Sequence, residues 1–514
     1  MARQQTSVAE RGPWVLALDL GTSSFRSALY DRLGNPLTDS PPGQIPCIWH
    51  TTADGGMEVE PESLFAHVVQ VVDAAVFRAR RDGLEIAAVA TAAFWHSLMG
   101  VGGDGGAITP LFGWGDTRAT DAAAWLRREM DEEAVHRRTG CFLDPSYPTA
   151  KLLWLREARP DIFSRVSTWM SFAEYLALRL FGEPRASISM ASGTGLLDIG
   201  SMQWDGEVLA ALGVSGAMLP PLADSDAPLR GLHTGFDTRW PELAGIPWFP
   251  ALGDGACANL GSGAVGPGRL GLTVGTTAAL RTLVRAERPP VVPGLWCYRL
   301  DRHRFVAGRA LSNGGNAAAA LNGWLRLPPA DERDALVAAM EPDGHGLTVL
   351  PYLIGERGPG DPPGAGGGVL GLTQNTTAMQ ILRAWLEAGA FAIGEIAAAV
   401  ETGFGPPRQI LAGGGALHGS PAWLQIIADV LGSPVHLSAI RETSARGAAL
   451  LALERLGLVD DAFEVPSPAG LETLPDMDRH TRYRAARDRQ RMLEQQLLPV
   501  MARGVQPRHI PRFD

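Results

Sequence analysis

Apolar runs of strand length alternate with stretches of helical periodicity through both halves of the chain, the pattern of a layered α/β protein. In the first half, Trp14 to Leu18 and Phe25 to Tyr30 read as strands and Glu85 to Ala93 as a buried strand. Ala119 to Glu133 reads as a helix, Ala150 to Glu157 as a helix-like run, and Asp161 to Phe181 as a helix stopped by Gly182. The theme repeats from about Gly253. Leu270 to Thr273 and Ala278 to Val284 read as strands, Gln409 to Ala412 as a strand running into Gly413-Gly414-Gly415, and about Pro421 to Leu431 as a helix. Residues 355 to 371 are rich in Gly and Pro and read as a long surface loop, while 478 to 514 reads as a terminal helix that frays.

The chemistry lies in the joints between strands. Two of the strand pairs close on short Gly-Thr turns, Asp19-Leu-Gly-Thr-Ser-Ser24 and Thr273-Val-Gly-Thr-Thr277. Each reads as a hairpin tip that presents backbone N–H groups and hydroxyls to phosphate oxygens. Asp19 ends its strand, where a carboxylate reaches Mg²⁺, usually through water. Asp254 stands alone before the second hairpin, like a base between the jaws of a nucleotide clamp. Turns of this composition also arise for conformational reasons alone, and Gly253-Asp254-Gly255 is ordinary turn chemistry. The order of both turns together with the triple glycine is far more specific. A Gly-rich strand-to-helix turn lets backbone approach a ligand closely and suits adenosine and its α-phosphate.

At 514 residues the chain exceeds what one core supports, so at least two domains with a cleft between them are expected. No apolar run approaches the ~20 residues needed to span a bilayer. Residues 1–12 are polar and lack the apolar core of a signal peptide, which points to a cytoplasmic protein. Cys47, Cys141, Cys257 and Cys297 are scattered, which disfavours a zinc site or a disulfide framework. The net charge of −10 argues against nucleic-acid binding. Lys151 is the only lysine, so the P-loop pattern is impossible and ATP must be held by another device. His345, His418 and His436 read as core or surface residues rather than ligands, and Arg26 has no assigned role.

These motifs resemble the FGGY carbohydrate kinases, two-domain members of the actin-like ATPase superfamily, over roughly residues 13 to 460. Further matches are Trp114-Gly-Asp-Thr-Arg118, Lys151-Leu-Leu-Trp-Leu155, and Pro351-Tyr-Leu-Ile-Gly-Glu-Arg357 with the later Gly371-Leu372. The resemblance implies an α/β fold of two ribonuclease-H-like domains around an interdomain cleft. An N-terminal domain over 13–255 would carry the sugar site and first phosphate motif; a C-terminal domain over 256–480 would carry the second phosphate and adenosine motifs; 481–514 would form a helical tail. It implies ATP and Mg²⁺, with Gly21, Thr22, Ser23, Gly275, Thr276, Thr277, Gly314, Gly414 and Gly415 at the nucleotide, Asp19 at the metal and Asp254 as general base. Trp95, His96, Trp114, Asp116, Arg118 and Tyr147, with Asp254, match the acceptor site, and Ser146 is nearby.

The acceptor is less narrowly specified. The glycerol-kinase branch carries Arg-Glu where this chain has Trp95-His96, and xylulokinases usually carry Gln-Met-His-Gly where it has Phe94-Trp95-His96-Ser97. Phe94 to Leu98, Tyr147 to Arg156, Glu174-Tyr175 with Leu180 to Glu183, and Ser189 to Leu196 with Trp204-Asp205 look most like the gluconokinase branch. The resemblance therefore implies phosphorylation of D-gluconate to 6-phosphogluconate, with a xylulokinase or other pentulose or polyol kinase as the alternative and a non-catalytic sugar sensor as a remote one. Arg118 is the candidate for a substrate carboxylate, although it also stands where it can pair with Asp116. A repressor would need a DNA-binding helix-turn-helix before the first strand and a chaperone a peptide-binding domain after the last match, and neither has room. The expected partner is a small sugar or sugar acid, with neither nucleic acid nor membrane, and a homodimer stays open.

Overall fold

The computed structural model describes residues 12–37, 43–353, 366–468 and 470–503. Its first sheet grows from the opening hairpin, in which Trp14–Leu20 and Ser24–Tyr30 pair antiparallel across Gly21, Thr22 and Ser23. Ile86–Ala93 and then Leu252–Gly253 add in parallel on one side, and Gly43–Pro46 adds antiparallel on the other. Trp14 to Leu18 are all buried, so an unbroken apolar run marks a strand covered on both faces. Helix Pro61–Asp82 packs against the hairpin side, and helix Thr443–Arg455, from far along the chain, packs on Trp14–Leu20 and Ile86–Ala93.

The second sheet repeats this device. Arg269–Val274 and Ala278–Arg285 form an antiparallel hairpin, and Gln409–Gly413 lies parallel beside its first strand, as Ile86–Ala93 does in the first sheet. Arg304–Leu311 and Trp296–Arg299 extend one side; Val435–Leu437 and Leu471–Thr473 extend the other. Helix Ala378–Phe404 buries Leu382, Trp385, Phe391 and Ile393 in the core of this half. The expected α/β class and the repeated strand, Gly-Thr turn, strand unit are both present.

Helix Asp254–Ser262 joins the halves and crosses helix Thr443–Arg455 at very close range. A Cβ on Gly261 would lie 1.9 Å from the Thr443 carbonyl oxygen, and one on Gly447 the same distance from that of Cys257. Only glycine allows this backbone contact, and the contact fixes where the helix presents its first residue, Asp254.

Several elements differ from the sequence expectation. Ala119 to Glu133 is not one helix: Thr120–Glu129 ends at an extended Met130, and the Asp131 carboxylate caps a second helix, Glu132–Thr139. Asp161 to Phe181 divides further, into the short helix Pro160–Phe163, strand Thr168–Met170 paired with Met99–Val101, and helix Phe172–Phe181. A reciprocal box between Ser171 and Glu174 starts that last helix, and Gly182 ends it in the left-handed conformation. Of the loop expected over 355–371, residues 355–365 lie outside the described residues, as does part of the 351–357 motif, and Gly368–Leu370 pairs as a strand with Thr348–Leu350. The terminal helix runs Met477–Arg503; the residues beyond it lie outside the description. Among the described residues no helix is long and apolar enough to cross a membrane.

Candidate active site

The carboxyl ends of the parallel strands in the first sheet form the floor of the site. Leu20, Ala93 and Gly253 are register neighbours across the three strands, so Asp19, the Trp95-His96 pair and Asp254 all emerge along one edge. Ligands of open α/β sheets sit at such edges.

The first turn is pinned from two directions. The Trp49 indole donates to the Thr22 carbonyl at 2.7 Å, and the Gly21 amide donates to the Ser24 carbonyl at 3.2 Å. The Trp114 indole donates to the Thr22 hydroxyl at 3.0 Å. Asp19 faces Arg26 across the hairpin, and Arg26 is itself ion-paired to Glu442 at 2.6 Å. Asp19 keeps some exposure at the sheet edge, but protein surrounds its carboxyl closely. That burial, reinforced by Asp254 and Glu442 and opposed by Arg26, pushes its pKa up to about 7. Asp19, a carboxylate crowded by Asp254 and Glu442, is a hard oxygen donor whose repulsion a magnesium-nucleotide would relieve.

The second turn is backed by a glycine cradle. The Gly275 amide donates to the Thr277 carbonyl at 2.9 Å, and the Gly315 and Asn316 amides donate to the carbonyls of Gly275 and Thr276 at 2.8 and 3.1 Å. A Cβ on Gly314 would lie 2.6 Å from the Thr277 carbonyl carbon, and one on Gly414, at φ +103°, would lie 2.2 Å from the Val274 carbonyl oxygen. Side chains on Gly275 and Gly415, by contrast, would meet nothing within 4 Å. The predicted nucleotide residues Gly275, Thr276, Thr277, Gly314, Gly414 and Gly415 are thus brought together around open space, with Thr273 and Gly413 paired across adjacent strands.

Asp254 is the first residue of its helix, and its carboxylate accepts from the Gly255 amide at 2.7 Å. Burial raises its pKa, opposed by the nearby Arg281. The glycines on either side are there for packing. A Cβ on Gly253 would lie 1.8 Å from the Trp95 ring, and one on Gly255 would lie 3.0 Å from both Trp95 and Arg281 Nη1. Trp95 is fixed by donation to the Ser189 carbonyl at 3.0 Å.

His96 adopts φ +65° and its Nδ1 lies 2.6 Å from the Gly193 carbonyl. Its ring meets Tyr147 edge-on at 4.7 Å, and the Tyr147 and Tyr298 hydroxyls bond at 2.5 Å. A small pocket is lined by His96, Asp144, Ser146, Tyr147, Trp296, Tyr298 and Arg309, so the second half contributes a wall that the motif reading lacked. Trp296 and Tyr298 stack at 4.4 Å there.

Asp116 and Arg118 come together mainly with each other. Arg118 Nη2 lies 2.6 Å from Asp116 and 2.7 Å from Glu58, its guanidinium covers the Trp154 ring at 4.8 Å, and the Met57 amide donates to Asp116 at 3.1 Å. Lys151, which the sequence left without a context, is buried and donates to the carbonyls of Ser146 and His96. It therefore ties the His96 and Ser146 segments together.

Two other features lack this chemistry. Asp343, His345 and Glu387 cluster closely enough for a metal, yet Arg489 grips Asp343 at 2.5 Å and both Arg383 and Tyr483 donate to Glu387, which makes the cluster an ion-pair network under the terminal helix. A groove of about 590 Å³ between Ser27–Leu37, Ala74–Arg81 and Ala439–Glu442 contains none of the predicted site residues.

Twin hairpins around a half-buried aspartate on two α/β sheets define the class of actin-like ATPase-fold sugar kinases. The N-terminal domain of the FGGY family of carbohydrate kinases matches residues 14–261 and its C-terminal domain matches 297–454, and the chain belongs to that family. It is 27% identical to a gluconokinase of Bacillus subtilis over 89% of this chain and 90% of the other. It is 31% identical to a glycerol kinase of Thermus brockianus over 85% of this chain and 88% of the other. Among solved structures it resembles a gluconate kinase of Lactobacillus acidophilus with a TM-score of 0.88 at 26% identity, covering 96% of this chain and 99% of that one. A xylulose kinase of the same species gives 0.88 at 25%, covering 96% and 100%. The protein is an ATP-dependent sugar kinase.

Proposed function

We propose that this kinase phosphorylates the terminal hydroxyl of D-gluconate in the cytoplasm, with Asp254 as general base. The observation that carries the mechanism is the placement of Asp254 on the same sheet edge as Asp19 and the Trp95-His96 pair, with Arg281 approaching from the second sheet. The substrate reading is supported by the gluconokinase-like stretches around His96 and Tyr147, which line one pocket, and by the likeness to gluconokinases. The equal likeness to a xylulose kinase makes a ketopentose the second reading.

Thr22 and Ser23 on one side and Gly275, Thr276 and Thr277 on the other would hold the phosphate chain, Gly314, Gly414 and Gly415 would leave room for the nucleoside, and Asp19 would hold Mg²⁺. Bound magnesium supplies charge neutralisation at the phosphates. His96, Tyr147 and Trp114 orient the acceptor, with Asp116 and Arg118 as the braced floor beneath. As the acceptor oxygen bonds to phosphorus and becomes acidic, its proton passes to Asp254 and the bond to ADP breaks.

ADP release with Mg-ATP, measured over gluconate, D-xylulose, both ribuloses, L-fuculose, rhamnulose, erythritol and glycerol, tests the reading. Gluconate selectivity supports it; preference for a ketose transfers the mechanism to the second reading. Asp254→Asn keeps ATP binding and loses turnover by about 10²-fold or more, and near-normal turnover rejects Asp254 as the base.

A further inference from the structure

Arg281 belongs to none of the motifs, yet it is the cation nearest the base. It lies on Ala278–Arg285, the second strand of the second hairpin, and its guanidinium is buried. Its Nε donates to the Asn259 side-chain oxygen at 3.2 Å and its Nη2 to the Thr273 hydroxyl at 2.7 Å. Both partners are neutral. Asn259 is on the helix that Asp254 begins, and its amide is fixed in turn on the Ala264 and Arg281 carbonyls. Thr273 opens the second phosphate turn. One guanidinium is therefore tied to the helix of the base and to the turn of the nucleotide.

The remaining nitrogen, Nη1, lies over Gly255 and makes no hydrogen bond among the described residues. Arg281 and Asp254 sense each other's charge without forming a direct ion pair, and Nη1 lies 3.0 Å from where a Cβ on Gly255, the residue after the base, would stand. Neighbouring cations are already engaged. Arg26 is held by Glu442, Arg118 by Asp116 and Glu58, and Lys151 by backbone carbonyls. Arg309 stands one residue beyond Gly308, the cross-strand partner of Arg281, and so on the other side of its strand.

We propose that Arg281 is a catalytic residue, its Nη1 placed to donate to an oxygen of the phosphoryl group as that group passes from ATP to the acceptor beside Asp254. The proposal rests on Asp254 being the base. Phosphorus gains a bond to the acceptor oxygen and loses one to ADP, which keeps the electron pair; Asp254 receives the proton, and Arg281 exchanges no atom. A preorganised donor in a water-poor site acts where charge develops. The arrangement also explains why a glycine follows Asp254, since a Cβ on Gly255 would lie 3.0 Å from Nη1.

Steady-state kinetics of Arg281→Met and Arg281→Lys, with whichever panel acceptor the wild type uses, test this. For Arg281→Met, kcat falls about 10²-fold to 10³-fold while the acceptor KM changes little, and added guanidinium restores part of the rate. Arg281→Lys, which keeps the charge, guards against loss of fold in the methionine variant. Independently of turnover, MgADP with aluminium fluoride should bind Arg281→Met at least about tenfold more weakly than wild type, with MgADP affinity unchanged. An unaltered kcat and unaltered fluoride complex overturn the proposal. So does a loss seen only as a raised KM for gluconate with neutral acceptors spared, which would make Arg281 a carboxylate binder. Loss in Arg281→Met alongside full activity in Asp254→Asn would instead reject the base.

Discussion

The Trp114 indole donates to the Thr22 hydroxyl at 3.0 Å, so a residue of the predicted acceptor wall holds the first phosphate turn directly. The proposed sugar and nucleotide sites share a strut. Trp114→Phe keeps the ring and removes the bond, which is worth about 1 kcal/mol, and kcat/KM for ATP should fall about fivefold to tenfold. Unchanged ATP kinetics at saturating sugar would show that the turn needs no such support.

Asp19 gives the ligand-free protein a distinctive pH dependence. Its folded pKa of about 7 exceeds the usual carboxylate range, so folding takes up a proton between roughly pH 4 and pH 7. Its stabilising contribution is complete below the unfolded pKa and is lost as pH rises through the folded one. Asp254, raised by burial, acts in the same direction. Thermal unfolding without nucleotide or magnesium should show Asp19→Asn above wild type at pH 8 and nearly level with it at pH 4. A gap that closes with rising pH would contradict the raised pKa.

Gly253→Ala places a methyl 1.8 Å from the Trp95 ring, and both the Trp95 indole and the Gly253 amide are held by Ser189. Overpacking of this kind costs about 1–3 kcal/mol. Urea denaturation should show that loss, with reduced turnover because Trp95 also positions the segment bearing Asp254. Full stability would mean that Trp95 can move aside.

Arg118→Met leaves the buried Asp116 carboxylate without its main counter-charge, at a cost of about 3 kcal/mol or more. The loss should be visible in urea denaturation and equal whether activity is followed with gluconate or a neutral sugar. A selective rise in the gluconate KM at unchanged stability would restore Arg118 as the carboxylate ligand.

The hairpin tips were legible because Asp19-Leu-Gly-Thr and Val-Gly-Thr-Thr act locally, through turn geometry a few residues long. The setting of Asp254 was not. Gly253 and Gly255 read as turn residues, whereas their purpose is to admit Trp95 from one half and Arg281 from the other. Arg281 did leave a trace, since a charged residue between Leu280 and Thr282 interrupts a strand buried along nearly its whole length. The helix breaks at Met130 and near Ser171 were missed because the apolar spacing runs on while capping by Asp131 and Ser171 restarts the helix in a new direction. The wall formed by Trp296 and Tyr298 comes from a strand whose residues match no motif.

The helix Thr443–Arg455, seated on the strands Trp14–Leu20 and Ile86–Ala93, has a consequence for biosynthesis. The opening sheet leaves the ribosome early with one apolar face bare, and the segment that covers it is made long afterwards. At roughly 5–20 residues per second the nascent protein waits on the order of ten seconds or more between completing the sheet and receiving its cover. During that interval it is a natural client for chaperones, and a gene split after the first half should yield an aggregating fragment rather than a free-standing domain.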